Sequence, residues 1–276
     1  MFLTRRTALA LTVAACMRPS ALWSETISAA SKPFGWSKAS FGGRTYFIRG
    51  TSDRCILLLH EINGLSPGCV DLGVNLVDQG FTVLMPLLFG HPMQDSVAWG
   101  GIESCALGGF HCLSNGGRSW EPEPVRWTQT LVANMEKQTE IRSIGVIGMC
   151  QSGAYPLATM VEHSKVKAVI MSQPALPFGR TSQENVGLSA STMEVAKKSR
   201  TPILGFRFQT DRICKELRFR YLKDFFGAQF QSREFDCPDQ KMSSSHRLHA
   251  VLTGQCTSVR EEARGLTAQF FRDHLS

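Results

Sequence analysis

No apolar stretch of this 276-residue chain approaches the about 18 residues that a membrane-spanning helix needs, so a transmembrane segment is not expected. Blocks of lysine and arginine are equally lacking. The formal charge is +7, but Arg5, Arg6 and Arg18 lie in the first 24 residues. Beyond them 27 basic residues face 23 acidic ones, a mild excess that gives nucleic acid no electrostatic footprint. There is no internal repeat and no low-complexity tract, which excludes solenoids and disordered linkers. Cys105, His111 and Cys112 have metal-ligand character, yet no second ligand pair of zinc type follows, and no metal or cofactor is expected. What remains is 43% apolar and 19% charged, the composition of a globular protein with a core of its own.

The first residues read as an address rather than as fold. Thr4-Arg5-Arg6-Thr7 precedes the short apolar stretch Ala8–Ala15, and Pro19, Ser20 and Ala21 follow. This is the layout of a secretory leader, and the paired arginines point to the twin-arginine route of bacteria and to the periplasm. Cleavage is expected near residues 21–30. Val13-Ala14-Ala15-Cys16 offers a second outcome, a lipid anchor on Cys16, and an unprocessed cytoplasmic terminus is the plain alternative. Residues 1–24 are thus expected to be an export signal and 25–276 one domain. Nine cysteines in an exported chain invite disulfides. Cys105 and Cys112, in a Gly-rich loop, are the expected local pair.

Along the rest of the chain strands alternate with helices. Arg44–Ile48 reads as an edge strand, and Cys55–His60 is a continuous apolar run of the kind buried on both faces of a parallel sheet. Further strands are expected at 81–85, 143–148, 166–171, 202–208 and 230–235. Helical patterns cover 67–79, 124–138, 215–226 and 258–274, and a short one follows residue 153. Residues 90–120 form a long irregular segment with the character of a lid. The order implies a mostly parallel, doubly wound α/β sheet with helices on both faces.

The densest signal is Ser143–Gly153. An apolar β-rich segment breaks at small residues and leads into a helical start, with Cys150 at the break. A strand, a sharp turn and a helix with a nucleophile at the apex form a nucleophile elbow. A thiol there needs less base assistance than a hydroxyl. Cysteine is also among the most buried residue types, so Cys150 alone could be structural. Functional groups in such sheets gather at the C-terminal ends of strands. Reading those ends in turn gives His60-Glu61-Ile62-Asn63-Gly64, then Cys150, then Gln209-Thr210-Asp211. The last strand leads into Ser243-Ser244-Ser245-His246-Arg247-Leu248-His249. Asp211 could merely cap a helix, and either histidine could be a surface loop residue. Together they follow the chain order nucleophile, acid, base. Of the two histidines His249 is preferred, because Ala250-Val251-Leu252 would pin it against the core.

These residues resemble the dienelactone hydrolase family, with its α/β-hydrolase fold, over roughly residues 45–275. The resemblance rests on Leu59–Gly64, on Gly148-Met149-Cys150-Gln151-Ser152-Gly153, on Asp211 and on His249-Ala250-Val251. It implies a triad of Cys150, His249 and Asp211 whose thiol, at rest, pairs with Glu61. Substrate would displace Glu61 and release the thiolate towards an ester carbonyl. Two departures stand out: Ser152 replaces the usual glycine, and Leu88–His91 and Val251–Gly254 lack the arginines with which diene-lactone enzymes hold the substrate carboxylate. The expected activity is hydrolysis of an ester, lactone or thioester of a small acyl substrate through acyl-Cys150. The backbone N–H groups of Ile62 and Gln151 would bind the oxyanion. Acyl transfer at the same site and a binding protein without turnover are the alternatives.

Overall fold

The computed structural model describes residues 35–93, 121–177, 181–237 and 248–276. Eight strands form one sheet in the order β1-β2-β4-β3-β5-β6-β7-β8. They are β1 (Ser37–Phe41), β2 (Arg44–Arg49), β3 (Arg54–Leu59), β4 (Thr82–Pro86), β5 (Ser143–Met149), β6 (Val166–Ser172), β7 (Ile203–Phe208) and β8 (Phe230–Phe235). From β4 through β8 every pairing is parallel, whereas β2 runs antiparallel to β4 and to β1. The expected edge strand is therefore not the edge. The missed strand β1 covers it, joined to β2 through Gly42 and Gly43, both at positive φ. A Gly-Gly turn of this kind matches the twist of a tight hairpin.

Among the described residues six α-helices pack on the sheet: α1 (Pro67–Asp78), α2 (Glu123–Glu136), α3 (Tyr155–Ala158), α4 (Ala190–Ser199), α5 (Glu216–Phe226) and α6 (Thr257–His274). Helix α4 has no counterpart among the expected elements. The sheet separates two cores. Cys55, Leu57 and Leu59 of β3 face the layer that contains apolar residues of α2 to α5, while Ile56 and Leu58 face that of α1 and α6. A strand buried on both faces must be apolar at every position, which is why the 55–59 run carries no alternation. No described helix is long and apolar enough to cross a membrane.

Cys237 and Cys256 form a disulfide, with Cα atoms 6.3 Å apart. The expected Cys105–Cys112 pair, Cys16 and the whole proposed leader lie outside the described residues, as does most of the 90–120 segment.

Candidate active site

The elbow follows from what its glycines allow. A Cβ on Gly148 would sit 2.2 Å from the Ser152 carbonyl oxygen, and one on Gly153 would meet Pro174 Cα at 2.5 Å. Only glycine permits this approach of the turn to its neighbours. Cys150 itself takes φ +52°, a left-handed conformation that a side-chain-bearing residue seldom adopts and that functional turns retain. Its carbonyl accepts the N–H of Ala175 at 2.8 Å and that of Gly153 at 3.0 Å, so the turn itself and the loop after β6 hold the apex. The following helix is shorter than its pattern suggests. Cys150–Ser152 is a 3-10 turn, and α3 spans only four residues.

Ser152 does more than replace a small residue. Its hydroxyl oxygen accepts the Met149 N–H at 3.1 Å and lies 2.9 Å from the His60 carbonyl and 3.1 Å from that of Leu59. The elbow is thereby tied to the end of β3, where Glu61 sits. His60 is fully buried. Its Nδ1 lies 2.7 Å from the Glu61 carbonyl and its Nε2 accepts the Leu88 N–H at 3.0 Å, which fixes a neutral tautomer with the proton on Nδ1. Burial lowers its pKa to about 4. It is a brace between the ends of β3 and β4, and not a base.

Asp211 closes the loop after β7. Its Oδ1 accepts the N–H groups of Ile213 and Cys214 at 2.8 and 3.0 Å, so it does cap the turn into α5. Its Oδ2 is left for Nδ1 of His249, at 2.7 Å. Burial opposes charge on the imidazole. The Cys150 sulfur and the Asp211 carboxylate outweigh it and hold the His249 pKa well above its ordinary value. Nε2 of His249 is buried without a well-aligned hydrogen bond. Cys150 is close enough to the same imidazole to act on it electrostatically. The sequence order has brought nucleophile, acid and base candidates together. His246 lies outside the described residues.

Glu61 is 6% exposed. Its Oε1 accepts Nε2–H of Gln173 at 2.8 Å, and its Oε2 is 2.7 Å from Thr253 Oγ1. Neither partner was expected. The rule that found the other residues, reading the C-terminal end of each strand, would have found Gln173 at the end of β6; Thr253 carries no such signal. Ile62, half-buried, lies in the turn that Gly64 closes by donating its N–H to the Glu61 carbonyl at 3.0 Å. Gln151 is buried beside the apex.

The loop that carries His249 is anchored beyond it. The Val251 N–H donates to Gln173 Oε1 at 3.4 Å, Arg264 Nε donates to the Leu252 carbonyl at 3.0 Å, and Cys256 is bonded to Cys237. The other free cysteines of the described chain are unsuited to chemistry. Burial pushes Cys55 up to about 11 and raises Cys69 and Cys214 further. A cavity of about 430 Å³ opens at the opposite end of the sheet, beside Cys55 and Thr82, and includes none of these site residues. No group of three or more side chains able to hold a metal occurs among the described residues.

The model of the dienelactone hydrolase family matches residues 44–231. Among solved structures, a candidate dienelactone hydrolase from Klebsiella pneumoniae subsp. pneumoniae MGH 78578 aligns with a TM-score of 0.60 at 13% identity, covering 87% of this chain and 98% of that one. The esterase Pf2001 of Pyrococcus furiosus gives 0.57 at 10% identity, with 87% and 92% covered. A dienelactone hydrolase-like promiscuous phosphotriesterase, P91, from metagenomic libraries gives 0.56 at 12%, with 87% and 97% covered. At these identities the likeness is one of fold. No curated protein matches the chain.

Proposed function

Because the chain belongs to the dienelactone hydrolase family, we propose that it hydrolyses an ester, lactone or thioester through a covalent acyl-Cys150 intermediate. His249 Nε2 takes the thiol proton as Cys150 Sγ attacks the acyl carbonyl. Asp211 keeps the imidazole in the tautomer that can do so and stabilises the imidazolium that forms. The N–H groups of Ile62 and Gln151 receive the oxyanion. His249 then protonates the leaving group, and the acyl group remains on sulfur as a thioester. A water molecule, deprotonated by the same imidazole, releases the acid and restores the thiol. Glu61 is the carboxyl that pairs with the thiol at rest.

The observation that carries this reading is the 2.7 Å bond between His249 Nδ1 and Asp211 Oδ2, with Cys150 raising the pKa of the same imidazole. Support for an exported enzyme comes from the Cys237–Cys256 disulfide, since such bonds persist in oxidising compartments. The test is turnover of short acyl esters, lactones and thioesters by the purified mature protein and by Cys150→Ala. Hydrolysis by the first and none by the second supports the reading. Equal hydrolysis by both removes it.

A further inference from the structure

Gln173 stands at the end of β6 with φ +35°, fully buried, in a backbone conformation costly for any residue but glycine. Its backbone N–H and both heteroatoms of its side-chain amide are bonded. Its backbone N–H donates to the Phe206 carbonyl of β7 at 2.7 Å. Its Oε1 accepts the Val251 N–H at 3.4 Å and is also bonded by the Ser172 hydroxyl. Its Nε2 donates to Glu61 Oε1 at 2.8 Å. The Val251 N–H can only donate, so the amide cannot flip, and Nε2–H must face Glu61. One side chain therefore joins the end of β3 to the base loop two residues beyond His249. The second oxygen of Glu61 closes the circuit through Thr253, two residues further along the same loop.

We propose that Gln173 is a positioning residue of this site: its amide holds the Glu61 carboxylate in one orientation and locks that orientation to the loop that carries His249. The inference rests on the reading of Cys150 as nucleophile. It adds that Glu61 and the base loop move as one unit, so a substrate that displaces Glu61 also acts on the base. The fixed amide has a second consequence. Oε1 faces an obligate donor, so a proton arriving on Glu61 can settle only on Oε2. The Thr253 hydroxyl there can turn from donor to acceptor. The titratable and charged groups around the pair are His60 beside Glu61, Cys69 on α1, Arg264 on α6, and Cys150 with His249 and Asp211. All of them stay in place in the variants below.

The test compares Gln173→Leu, Gln173→Glu and Thr253→Val with the wild-type protein by kcat, KM, pH profile and Tm. Gln173→Leu removes all three side-chain bonds, and kcat is expected to fall at least about tenfold with KM within a few-fold. Gln173→Glu keeps the acceptor for Val251 and, while the two facing carboxyls share one proton, also keeps a donor to Glu61. Its activity is therefore expected to approach wild type at low pH. It should then fall on a new alkaline limb as the second proton leaves and like charges meet. A role confined to packing would not create that limb. Thr253→Val, at a half-buried position, keeps the test alive should Gln173→Leu fail to fold, and its kcat is expected to fall severalfold at unchanged KM. Wild-type profiles for Gln173→Glu and Thr253→Val, with Cys150→Ala inactive, would overturn this inference alone. An active Cys150→Ala would overturn the reading beneath it.

Discussion

Nδ1 of His249 and Oδ2 of Asp211 lie 2.7 Å apart across 38 residues of chain, and the other carboxylate oxygen of Asp211 is occupied by the N–H groups of Ile213 and Cys214. The aspartate is thus held by its own turn before it meets the imidazole. Asp211→Asn would present an amide of ambiguous orientation to Nδ1 and lose the charge that favours the imidazolium. A loss of about 10²- to 10⁴-fold in kcat is expected for it, and at least as much for His249→Ala. His246→Ala is expected to stay within a few-fold of wild type. Steady-state kinetics on one ester with all three variants checks this, and the reverse ranking of the two histidines would reassign the base.

His60 predicts a pH dependence of stability of definite sign. Its pKa falls from 6.5 to about 4 on folding, so between those values the unfolded chain binds the extra proton. The stabilisation is complete above pH 6.5 and is lost as pH falls towards 4, in all about 3 kcal/mol. His249 is raised instead, so over most of this window it is protonated in both states and adds little slope. Urea unfolding from pH 4 to 7 should show a shallower rise for His60→Asn than for wild type. Parallel curves would show that His60 is not held neutral.

The strands from β3 to β8 and the order of the candidate site residues could be read from the chain because both are local properties. A run such as 55–59 declares burial by its composition, and Cys150, Asp211 and His249 each end or follow a strand. What escaped detection depends on pairs far apart in sequence. Ser152 looks like a tolerated substitution until its hydroxyl is found at the His60 carbonyl, 92 residues away. Thr253 meets Glu61 across 192 residues, and nothing in its neighbourhood announces that. The polar strand β1 has no apolar alternation strong enough to be recognised, although Gly42-Gly43 was a usable turn signal.

The disulfide brackets the segment that carries His249. Replacing Cys237 and Cys256 by serine is expected to cost about 3 kcal/mol, the loop-closure entropy of a segment of this length. It should also lower kcat more than it raises KM, because the base loop loses one anchor. Chemical denaturation and kinetics on the double variant check both. Unchanged stability would mean that the unfolded chain is not constrained by this bond.

At the N-terminus, intact mass of the protein from its native host is expected to show a chain beginning between about residues 21 and 30. A diacylglycerol on Cys16 would replace the cleaved form by an anchored one. A chain beginning at Met1 would contradict export.

The most direct measurement of the central claim is the mass of the protein quenched in acid during turnover of a slow ester. The account predicts a covalent adduct equal to the acyl group, mapped to the peptide containing Cys150, absent in Cys150→Ala and accumulating in Asp211→Asn if deacylation slows. Turnover without any adduct on Cys150, or an adduct on another residue, would contradict it.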